Sequence, residues 1–118
     1  MDFPEYIESL CREHKLVKHS DDECHFSNLV SDFDNKLQRL MHYPCVGIDT
    51  DGFSVAGASD NEMAVHEYNL YFLTHVRDHG SLSEKMKAFS TTYAILEDFI
   101  GRFKRDAERG VDPMERFS

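Results

Sequence analysis

The segment from Ser81 to Gly110 constrains the fold more than any other part of this chain. Met86, Phe89, Tyr93, Leu96, Ile100 and Phe103 recur at intervals of three and four residues, with Ile95 and Phe99 widening the stripe. That spacing is the signature of an amphipathic helix. Ser81-Leu82-Ser83-Glu84 has the residue types of a capping box, Gly110 can close the far end in a left-handed conformation, and Pro113 prevents the helix from resuming. Just before it, the stretch from Glu62 to Val76 alternates as a strand. One face carries Tyr68, Leu70, Phe72 and Val76 and suits a core packed by the helix. The expected central contact is Leu70 and Phe72 against Phe89, Tyr93 and Leu96. The opposite face runs Val65, Glu67, Asn69, Tyr71, Leu73 and His75. It is too polar for a dry interior and too rich in rings and aliphatics for a purely wet surface. Glu67, Asn69, Tyr71, Leu73 and His75 are therefore the candidate subunit interface.

Lengths sharpen this. A compact domain of 118 residues has a diameter of roughly 35 Å. An extended stretch from 62 to 76 reaches about 50 Å and a helix from 81 to 108 about 42 Å. Either these elements bend or the molecule is elongated. A two-stranded sheet is also marginal alone and has two open edges, both of which neighbouring subunits would complete. The helical stripe admits a second use as well, since its spacing also fits a dimer seam. The bulk of Phe89, Tyr93, Phe99 and Phe103, together with Gly101, favours packing on the chain's own strand.

Upstream, Asp2, Pro4 and Glu5 mark a helix start, and Phe3, Tyr6, Ile7 and Leu10 define a helix from about Phe3 to Lys15. The stretch from Lys18 to Phe26 reads as a loop with a short extended piece at Cys24–Phe26. Ser27 or Asn28 can cap a second helix through Leu29, Phe33, Leu37 and Leu40, ended by Pro44. A strand then begins at Cys45. Two readings of residues 45–61 stand side by side: a tight hairpin at Asp51-Gly52, or one longer strand with a bulge and a turn between Gly57 and Asn61. The expected fold is α+β, a small antiparallel sheet packed on one face by a long C-terminal helix, with two N-terminal helices. It forms a single domain over 1–118, divided into a helical region at 1–44, a hairpin at 45–78, the helix at 81–110 and a frayed tail at 111–118.

A net charge of −9 opposes a phosphate backbone, so direct nucleic-acid binding is not expected. No Lys or Arg lies between Arg39 and Arg77, whereas Asp49, Asp51, Asp60 and Glu62 do. These four define a candidate acidic surface, either a solvated loop or a face for a basic partner. Three cysteines fit reduced thiols rather than a disulfide framework. No apolar run approaches a membrane span and no secretion signal opens the chain, which points to the cytoplasm and away from membranes.

Chemistry is hard to find. Cys11, His14, His19, Cys24 and His25 are ligand types that zinc prefers, but their spacing fits no standard finger or ribbon; His75, Asp78 and His79 could converge, although a polar turn at a strand end accounts for them. Asp49, Asp51 and Gly52 do not match a calcium loop, because the glycine comes too early. No nucleophile motif, phosphate loop or metalloprotease helix is present. The expectation is a non-enzymatic protein without catalytic residues, cofactor or metal.

Element order and scattered positions carry a resemblance. Phe33-Asp34-Asn35-Lys36-Leu37, Tyr43-Pro44-Cys45-Val46-Gly47-Ile48, a turn at Asp60-Asn61, the strand ending Phe72 to Asp78, and the helix from Ile95 to Arg102 resemble small prophage-encoded structural proteins of the tail-terminator or neck type, over roughly residues 28–106. The resemblance implies a subunit of a ring, often a hexamer, capping the tube of a phage tail or phage-like injection apparatus. Its partners would be further copies and other tail or neck proteins. It would be cytoplasmic during assembly and then part of a virion or phage-like particle. Ring contacts would fall on the face from Glu67 to His75, and an acidic lumen would use the base-free stretch. The alternative is a small acidic binding or regulatory protein acting on a basic partner.

Overall fold

A computed structural model describes residues 2–28, 41–56 and 63–114. Its element order is α1 (Phe3–Glu13), β1 (Cys24–Asn28), β2 (Met41–Ala56), β3 (Met63–Leu73) and α2 (Leu82–Glu108). The three strands form one sheet in the order β1-β2-β3. The fold is α+β, and the sheet is mixed: β2 pairs antiparallel with β3, but β1 pairs parallel with β2. This corrects the expected purely antiparallel sheet. The short extended piece at Cys24 becomes an edge strand, and strands that run the same way need a crossover of a dozen or more residues between them. The second N-terminal helix expected over Leu29 to Leu40 lies outside the described residues. Its expected end does not hold, because Met41 to Pro44 already belong to β2.

Between the two readings after Cys45, the structure has the bulged strand. Thr50 pairs with Tyr68 and Phe53 with His66, so β2 spends one more residue than β3 across this step. An extra residue of this kind twists and bends a strand without ending it. Pro44 sits at a second irregularity, where the register with β1 jumps from Cys24 opposite Met41 to Phe26 opposite Val46. A residue without an N–H is tolerated there because regular pairing is already interrupted.

Local capping follows the sequence closely. Asp2 accepts from the Glu5 N–H at 2.8 Å, and Ser81 Oγ accepts from the Glu84 N–H at 3.2 Å. The Glu84 carboxylate does not complete a box but turns to Arg77, whose Nε lies 3.2 Å away. At the other end Gly110 has φ +70, its N–H reaches the Ala107 carbonyl, and the Val111 N–H reaches the Asp106 carbonyl. That pair of bonds is a Schellman closure. The chain then folds back, with Pro113 and Met114 buried, so the start of the expected frayed tail is part of the core.

Both helices pack on one face of the sheet. Tyr6, Ile7, Leu10 and Cys11 of α1 meet Phe26, Val46 and Ile48 of the strands and Ile95, Phe99 and Ala107 of α2, with Leu70 and Phe72 partly buried against them. The molecule is elongated: its radius of gyration is 16.4 Å and its long axis 56 Å, against about 13.5 Å for the radius of gyration of a compact chain of this length.

Candidate functional site

The expected contact between strand and helix is displaced along α2. Phe72 packs edge-on against Phe99 at 5.3 Å, while Phe89 is 69% exposed and Tyr93 50%. Every buried residue of α2 lies at Ile95 or beyond. Two physical causes act together. A helix of 27 residues is about 40 Å long, whereas the 11 residues of α1 cover only about 16 Å, so the first half of α2 overhangs the core. In addition, a strict seven-residue repeat drifts about 20° per heptad on a straight helix. The stripe that meets the core at Phe103 has therefore turned roughly 60° away by Leu82.

The overhang is held by its other side. A groove lined by Thr74, His75, Val76, Glu84, Ala88 and Thr91 runs between α2 and the segment after β3. Gly80 permits this approach, since a Cβ there would lie 2.9 Å from Glu84 Oε2 and 3.1 Å from the Arg77 carbonyl. With Ala88 and Thr91 facing inward, helical spacing places Leu82, Met86, Phe89 and Tyr93 on the outward side. Leu82 and Met86 are 74% and 61% exposed, and Ile100, further along the same stripe, is also exposed. Phe89 and Tyr93 stack on each other at 5.9 Å.

The second half of α2 is anchored to α1 by a buried polar clamp. Asp106 Oδ2 accepts from the Tyr6 hydroxyl at 2.5 Å and from Arg102 Nε at 2.8 Å, and Arg102 also donates to Glu13 at 2.9 Å. Burial alone would push the Asp106 carboxyl up, but the hydrogen bonds from Tyr6 and Arg102 outweigh it and hold it below the usual range. Burial, followed by the bond to Asp106, pushes the Tyr6 hydroxyl well above its ordinary value. Sequence spacing offers no sign of this clamp, because Tyr6 and Asp106 are 100 residues apart.

Beside the clamp lies an open cleft of about 460 Å³, lined by residues that include His14, Asp98, Arg102 and Arg105. His14 is engaged at both ring nitrogens: Nε2 bonds Asp98 at 2.8 Å, and Nδ1 accepts from the Leu16 and Val17 N–H groups. It closes the turn after α1 and ties it to α2. His19 Nδ1 accepts from the His25 N–H, and His25 Nδ1 bonds the Pro44 carbonyl. Burial, reinforced by Arg12, pulls the His19 imidazole below its ordinary value. Cys11 and Cys45 are buried and Cys24 partly so, all as free thiols; burial, with a smaller effect from Cys24, pushes the Cys45 thiol up to about 12. Among the described residues no three His, Cys, Asp or Glu side chains converge on a metal position. No described helix is long and apolar enough to cross a membrane.

Glu67, Asn69, Tyr71 and Leu73 alternate along β3 on the face away from Leu70 and Phe72. Glu67 and Tyr71 are exposed and Asn69 and Leu73 half-buried. His75, just beyond the strand, is exposed and lies against the Tyr43 ring at 5.9 Å. Of the candidate acidic surface, Asp49 is half-buried opposite Asn69, and Asp51 sits in the β2 bulge. Asp60 and Glu62 lie outside the described residues.

Compared with protein-family models, curated proteins and solved structures, the chain matches none of them. Its own surfaces are therefore the guide to its function.

Proposed function

We propose that this chain is a non-enzymatic assembly subunit that works by presenting apolar side chains to other protein surfaces. The overhanging stripe of α2 carries this reading. Leu82, Met86, Phe89 and Tyr93 are at least half exposed on one side of one helix, and burying a large apolar side chain is worth about 1.5–3 kcal/mol. A contiguous patch of this kind marks an interaction site more often than chance exposure does. The elongated body and the outer face of β3, with Tyr71 exposed and His75 against Tyr43, supply a second surface on a different side of the molecule.

The phage tail or phage-like injection apparatus is the specific form of this proposal, supported by the resemblance over residues 28–106. There the chain would join copies of itself in a ring and contact other tail or neck proteins. A second reading, an acidic protein acting on a basic partner, is favoured by the absence of any Lys or Arg from β2 and β3. Mass measurement in solution across micromolar to millimolar concentration, with electron microscopy at the upper end, tests the assembly reading. Association beyond the monomer is the expected result. A strict monomer throughout, with no rings, overturns it.

A further inference from the structure

We infer that the overhanging stripe of α2 pairs with the same stripe of a second copy, antiparallel, about a two-fold axis near Thr91; this rests on the assembly reading and names its partner. The spacing of Leu82, Met86, Phe89, Tyr93, Leu96 and Ile100 is four, three, four, three, four, an uninterrupted heptad seam. In the antiparallel register the layers are Leu82 with Ile100, Met86 with Leu96 and Phe89 with Tyr93, each formed twice. Antiparallel seams place first-type against second-type heptad positions, and these layers all obey that rule. The small residues Ser90 and Thr92 flank the central layer and leave room for the stacked aromatics.

Charge selects the direction. Lys85 and Lys87 lie in the first turns of α2, Glu97 and Asp98 three turns later, and Lys85, Lys87 and Glu97 are exposed. A parallel pair would set lysines beside lysines and carboxylates beside carboxylates. The antiparallel pair sets the lysine-bearing end of each helix beside the carboxylate-bearing end of the other, with Lys85 level with Glu97, and opposes the two helix dipoles. The area is adequate. At the observed exposures the five exposed apolar side chains offer roughly 600 Å² per chain, and their polar neighbours bring the facing surface toward the ~800 Å² per partner of a standard interface. A two-fold contact of this type closes on itself, so a ring would have to use the separate surface on β3.

The test uses the full chain carrying Cys24→Ser, which removes the one partly exposed thiol. Light scattering should show a dimer, and Phe89→Glu should raise its dissociation constant by roughly 100-fold or more with far-UV circular dichroism unchanged. Ser83→Cys and Glu97→Cys variants, mixed under mild oxidation, should cross-link to each other and not to themselves. Cross-linking of Ser83→Cys to itself, or association insensitive to Phe89→Glu, overturns the antiparallel pairing while leaving assembly through another surface intact. A monomer at every concentration overturns both the pairing and the assembly reading.

Discussion

The two halves of α2 share one repeat and meet opposite environments. From Ile95 onward the helix buries Ile95, Phe99, Asp106 and Ala107 under α1 and the sheet. Before Ile95 the same three-and-four spacing leaves Leu82, Met86, Phe89 and Tyr93 in water. Periodicity thus specifies a helix and an apolar stripe, but the reach of the neighbouring elements and the drift of the stripe around the helix decide which of its residues are core. The covered half stabilises the fold, and the uncovered half is open to a partner.

Mutations should separate the halves cleanly. Phe99→Ala empties a site that is 2% exposed and should cost about 3–5 kcal/mol, read from urea denaturation. Asp106→Ala leaves Arg102 and the Tyr6 hydroxyl without their shared acceptor and should cost about 3 kcal/mol, with Tyr6→Phe smaller, about 1 kcal/mol. Phe89→Ala, measured at concentrations where the chain is monomeric, should change stability by no more than about 0.5 kcal/mol. A loss as large as that of Phe99→Ala would show that the overhang is core after all.

Acid should weaken the fold in two steps. The folded-state value of His19 lies below its ordinary one, so the unfolded chain takes up a proton first, and stability falls as pH drops through about 6.5 toward the lower folded value. The Asp106 carboxyl is likewise held low, so its contribution persists above about pH 4 and is lost as pH falls through its folded value. Denaturation midpoints from pH 8 to pH 3 should show both declines, neither steeper than about 1.4 kcal/mol per pH unit for one proton. His19→Gln should remove the upper step alone.

One substitution should act with the opposite sign. A Cβ at Gly101 meets nothing within 4 Å, so Gly101→Ala should stabilise α2 by about 0.5–1 kcal/mol. At Gly110 there is as much room, but φ is +70, and the same substitution should cost about 1 kcal/mol. Thermal melts of the two variants would distinguish the effect of space from that of backbone conformation.

Much of the local structure could be read directly from the residues. Asp2, Ser81 and Gly110 act at the helix ends as their side chains, or the lack of one, require. The alternation along β3 separates Leu70 and Phe72 from Asn69 and Tyr71. These features depend on neighbours a few residues away, which a sequence displays. The parallel pairing of β1 with β2, the fold-back that buries Met114, the clamp joining Tyr6 to Asp106, and the division of α2 into a covered and an uncovered half depend on contacts between distant segments. Nothing in the spacing of residues 81–110 encodes how far α1 extends beside them or which side of α2 faces the sheet, and these together leave Phe89 in solvent and Phe99 in the core.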